Sequence, residues 1–90
     1  MREAVLDHLE QAAALLAESD PHELAGPAKL EWTARVLRVQ RRLDGFLAAQ
    51  LHTIDTGDVT TVEHGCTTRS WLVEHQQLSQ NDAAARLRVA

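Results

Sequence analysis

Residues 28–55 read AKLEWTARVLRVQRRLDGFLAAQLHTID, and the period of their apolar side chains decides the fold. At 100° per residue, Trp32, Val36, Val39, Leu43, Phe46, Leu47 and Ile54 fall within an arc of about 100°, which is the pattern of one amphipathic helix. Arg35, Arg38, Arg41 and Arg42 fall on the opposite side, so a basic stripe and an apolar stripe share the helix without mixing. Gly45 is the one poor helix former inside it. At ~1.5 Å per residue such a helix is about 40 Å long. It is expected to be the spine of the molecule, with Trp32, Val39, Leu43 and Phe46 facing the helices that pack on it.

Toward the N-terminus, residues 2–18 place Val5, Leu9, Ala12 and Leu16 at helical spacing, a first amphipathic helix. Asp20 and Pro21 are suited to cap and start a short turn, with Glu23 at the capping-box position, and Gly26-Pro27 leads into the long helix. Toward the C-terminus, Gly57 reads as the C-cap of the spine. The β-branched stretch 58–65 reads as a loop or a short extended strand. Thr67 or Thr68 should cap a helix over 69–76, and Ser79 a last helix over 80–90, with Asp82 at its box position. The fold class is therefore all-α: a small helical bundle around one long central helix, in a single domain over 1–90, with a helix-turn-helix-like C-terminal pair. Trp71, Leu72 and Leu78 complete the expected core.

A chain of 90 residues hides only about 60% of the surface that its unfolded form exposes, which leaves little spare stability. Of its apolar residues 14 are Ala and 13 are Leu, while Phe and Trp together contribute three. Ala favours helix but adds little apolar area to a core. A partner chain is therefore expected, most simply a second copy in a homodimer. A single cysteine, Cys66, excludes an intramolecular disulfide, and the opening residues lack the basic-then-apolar pattern of a signal peptide, so the expected location is cytoplasmic. No run approaches the roughly 18 apolar residues of a membrane span.

The five histidines at positions 8, 22, 52, 64 and 75, with Cys66, lack the paired spacing of a structural zinc site. His52 and Asp55 stand one turn apart, without a nucleophile or second carboxylate beside them. No phosphate-binding glycine loop, nucleophile elbow or zinc-protease motif is present. No catalytic residue, metal, cofactor or small-molecule substrate is expected.

The formal net charge of −4 is unevenly spread: residues 1–27 carry −5 and 28–50 carry +3. Arg35, Arg38 and Arg42 lie at one-turn steps and could meet phosphates. Residues 67–82, TTRSWLVEHQQLSQND, can also be set against a helix-turn-helix pattern with Ser79 capping the second helix. Leu72, Leu78, Ala83 and Leu87 fall where that motif wants apolar groups. Gln76, Gln77 and Val73 depart from it, Gln77 standing where the turn usually has glycine. In such a motif Gln80, Asn81 and Asp82 would face base edges, and Asp82 would repel phosphate. Arg86 adds a cation on the same helix. DNA is thus the alternative partner to a second copy.

From about residue 35 onward the chain resembles the actinobacterial domain-of-unknown-function family 222 of the 13E12-repeat proteins. The likeness is carried by Arg42, Leu43 and Asp44, then Gly65 and Thr68, the pair Trp71 and Leu72, the step Leu78, Ser79 and Ala83, and the run Arg86, Arg88 and Ala90. Members often carry a C-terminal HNH endonuclease module and continue with further helices past the position of Ala90. The resemblance implies a helical binding or scaffolding part of a DNA-processing protein, here expected to be a shortened version without the nuclease module.

Overall fold

The computed structural model describes the backbone of residues 2–90 and the side chains of residues 3–90. The described chain is all-helical. Helix α1 runs Arg2–Glu18, a 3-10 turn follows at Pro21–Glu23, and α2 runs unbroken from Gly26 to Thr56. Three short helices complete it: α3 (Val59–His64), α4 (Thr68–Glu74) and α5 (Gln80–Val89). The chain forms two compact units, Met1–Arg35 and Val36–Ala90, with the boundary inside α2.

In the first unit the local signals act as expected. Asp20 caps the 3-10 turn by accepting from the His22 N–H at 2.9 Å, with Pro21 at the first position of that turn. The Ser19 hydroxyl donates to the Leu15 carbonyl, closing the end of α1. No described side chain of this unit is buried, and Leu24 and Ala28 are half-buried.

In the second unit α4 packs on both α3 and α5. The core is Leu51 from α2, Leu72 from α4 and Ala83 from α5, with Trp71, Val73, Leu78, Leu87 and Ala90 laid against it. The expected core is only partly realised. Leu72 is buried, and Leu43, Trp71 and Leu78 are half-buried, but Trp32, Val39 and Phe46 are 46%, 49% and 59% exposed. The α2 side chain at the centre of the packing is Leu51, at the border of the apolar arc. Helix lengths explain part of this result. Helix α2 has 31 residues, whereas α3, α4 and α5 have 6, 7 and 10. Rods of roughly 10–15 Å cannot cover one of roughly 46 Å.

Three boundaries also differ from expectation. Residues 59–64 are helical despite their β-branched content, because the Thr60 side chain gains a buried partner and Gly65, at φ 65°, caps the helix in the left-handed conformation. The left-handed residue that ends α2 is Asp58, at φ 53°, not Gly57. A Cβ at Gly57 would stand 3.0 Å from the Thr53 carbonyl oxygen, which is held in place as the acceptor of the Gly57 N–H. Helix α4 stops at Glu74, two residues early, because the chain reverses through Gln77 at φ 59°.

These backbone features predict stability changes of opposite sign, measurable as shifts in urea midpoint followed by circular dichroism. A Cβ at Gly45 would meet nothing within 4 Å, so Gly45→Ala should stabilise by about 0.5–1 kcal/mol. Gln77→Gly relieves a left-handed non-glycine residue and should gain a similar ~0.5–1 kcal/mol. Gly57→Ala should destabilise.

Candidate interaction site on the C-terminal helices

Side-chain caps place the two C-terminal helices. Thr67 accepts from the Ser70 N–H at 3.1 Å to start α4, and Ser79 accepts from the Asp82 N–H at 3.0 Å to start α5. Each satisfies a backbone donor that a helix start leaves unpaired. Between them, the His75 N–H donates to the Trp71 carbonyl and the Leu78 N–H to the Leu72 carbonyl. The second bond folds the chain back so that Leu78 meets the core. Gln77, at the position where glycine is usual in a helix-turn-helix, takes the left-handed conformation that glycine would supply.

A hydrogen-bonded chain joins α2, α3 and α4. The Thr68 hydroxyl donates to Asp55 Oδ1 at 3.0 Å, and Thr60 Oγ1 lies 3.5 Å from Thr68 Oγ1. A hydroxyl has one proton. With that of Thr68 directed to Asp55, Thr60 is the donor to Thr68. Both threonines are buried, at 4% and 5% exposure. Among the described residues no buried side-chain oxygen or nitrogen lacks a partner.

Beside this junction lies an apolar groove of about 320 Å³, lined by Leu47, Leu51 and Ile54 of α2 and by Trp71, Leu72 and Leu78, with Gln50, Gln76 and Arg86 as its polar members. A second, more polar depression of about 430 Å³ lies between α2 and α5 and includes Asp44, Asp82 and Arg86. Arg86 reaches Asp44 Oδ1 at 3.9 Å. Both side chains are partly exposed to solvent, so the pair is worth less than about 1 kcal/mol. It nonetheless bridges α5 and α2.

The residues that sequence reading set aside for DNA are thus variously placed. Gln80 accepts from Arg69 Nε at 3.1 Å, and Arg86 is turned toward Asp44, while Asn81 and Asp82 are exposed at the start of α5. Arg35, Arg38 and Arg42 are exposed on α2. Asp55, paired in sequence with His52, is instead the acceptor for Thr68. His64, at the end of α3, and His75, the C-cap residue of α4, come together with ring centroids 5.1 Å apart, a contact that spacing along the chain could not reveal. Among the described residues no group of three or more His, Cys, Asp or Glu is placed to hold a metal ion, and no helix is long and apolar enough to cross a membrane.

The sequence reading missed the roles of Leu51, Thr60 and Thr68. Leu51 lies one turn on from Leu47, a usable signal, but the two threonine hydroxyls could be paired only in three dimensions. Compared with family models, curated proteins and solved structures, the chain matches none.

The junction generates an asymmetric prediction. Thr68→Val removes the central hydroxyl and leaves the buried Thr60 hydroxyl unsatisfied, for a loss of about 1–3 kcal/mol. Thr60→Val keeps the Thr68–Asp55 bond and should cost clearly less. Urea unfolding of the two variants checks the order, and equal losses would refute the assigned donor direction.

Proposed function

We propose that this chain is a non-catalytic helical interaction module that self-associates, of the kind that the family resemblance implies for HNH-nuclease proteins. The observation that carries the reading is the exposed apolar stripe of α2. Val36, Val39 and Phe46 lie on one face of a helix and are 43–59% exposed. Single exposed apolar residues are ordinary, whereas a contiguous row marks a surface that meets another. The buried core holds only Leu51, Leu72 and Ala83 among the described apolar residues. A unit with so small an interior gains stability if part of the stripe is covered. Cys66, a half-buried free thiol, suits a reducing compartment such as the cytoplasm.

One observation favours a second reading, a DNA-binding regulator acting through α4 and α5. Gln77 supplies the left-handed turn that joins two capped helices, as a helix-turn-helix requires. Against it stand the Asp82 carboxylate at the start of α5 and the intramolecular partners of Gln80 and Arg86. Each would have to be given up or screened for those side chains to meet a base or phosphate.

Fluorescence anisotropy of a labelled duplex separates the two. The interaction-module reading expects no saturable rise at low salt, with sedimentation equilibrium showing a species heavier than the monomer. The regulator reading expects binding that falls steeply with salt, with a slope reduced in an Arg38→Ala/Arg42→Ala variant.

A further inference from the structure

We infer that the α2 stripe of one copy receives α1 of a second copy, reciprocally, so that two chains join through an intermolecular set of α1 and α2 helices. The inference rests on the self-association proposed above and adds which surfaces meet.

Helix α1 offers Val5, Leu6, Leu9 and Leu16, and the second unit's part of α2 offers Val36, Val39, Phe46 and Leu47, all of them exposed. The two apolar rows have matching lengths. Val5 to Leu16 and Val36 to Leu47 each span eleven residue steps, a rise of about 16 Å. Side chains of this size, about half exposed, contribute on the order of 100 Å² each. Eight of them per copy approach the ~800 Å² that each partner buries in a standard interface. A reciprocal pairing also closes on itself as a two-fold dimer and leaves no open end to polymerise.

Charge selects the occupant. Helix α1 carries Glu3, Asp7, Glu10 and Glu18 against Arg2 alone, whereas α2 carries Lys29 and the cluster Arg35, Arg38, Arg41 and Arg42 against Glu31, Asp44 and Asp55. If two α2 stripes met each other, two helices of the same net sign would be brought together, which like charge disfavours. With α1 on α2, an acidic helix lies beside a basic one, and the long-range term turns favourable.

Sedimentation equilibrium of the full chain and three single variants tests this. The wild type should be dimeric at high micromolar concentration. Leu9→Glu and Val39→Glu should each weaken the dimer about 30-fold or more. Val62→Glu, on the exposed side of α3, should leave it intact, and circular dichroism should show helix content retained in all three. Mixing Leu9→Glu with Val39→Glu should restore part of the association, because one of the two pairings then joins an intact α1 to an intact α2 stripe while the other carries both substitutions. A wild type that stays monomeric would overturn both self-association and this arrangement. A dimer that survives both substitutions, or one broken by Val39→Glu but not by Leu9→Glu, would overturn the arrangement alone, as would a mixture that stays monomeric.

Discussion

Ala83 has no accessible surface, and the C-terminal unit depends on the contact that this implies. A methyl group on α5 lets its backbone lie close to α4, with Leu72 and Leu51 closing over the same point. Helices of seven and ten residues are marginal in water by themselves. Their persistence comes from this shared contact and from caps at each start, where Thr67 and Ser79 accept backbone protons. A larger residue at position 83 would separate the helices, and the partly buried side chains around them, Trp71, Val73, Leu78 and Leu87, would lose their common surface.

The same unit shows how polar groups are accommodated when apolar ones are scarce. A core built around one Ala and two Leu has little area with which to fix the angle between helices. The hydroxyls of Thr60 and Thr68 add direction, because a hydrogen bond restricts geometry where apolar contact does not. Their chain ends on Asp55, which is exposed, so the network reaches the interior without burying a carboxyl group. The turns on either side use left-handed residues, Asp58 and Gln77. Asp tolerates that conformation and Gln does so at some cost, which the packing of Leu78 and the Leu78–Leu72 backbone bond offset.

The balance between interior and surface directs the functional reading. Buried apolar residues are few, while Val36, Val39 and Phe46 form an open row on a helix whose other side is basic. Among the described residues His64 and His75 meet as a pair, and no group of three or more His, Cys, Asp or Glu is placed to hold a metal ion. That open row is the basis of the proposed self-association, in which the acidic α1 is the complement that the chain itself carries.

Sequence by itself determined where α1, α2, α4 and α5 lie. Periodicity of 3.6 located α1 and α2, and Asp20, Thr67 and Ser79 marked starts by a mechanism that acts within three residues, so no distant information was needed. Tertiary structure alone decided which face is covered. The arc through Trp32, Val39 and Phe46 is as apolar as a core face, and periodicity cannot distinguish a stripe that meets its own chain from one that remains open. It also decided α3, where local β-branched preference, worth tenths of a kcal/mol per residue, yields to the buried Thr60–Thr68 contact eight residues apart. The half of the candidate site formed by capped helices was legible for the same reason that the groove and the hydroxyl chain were not. Caps are local, whereas Leu51, Leu72 and Ala83 share a core only after the chain has reversed twice.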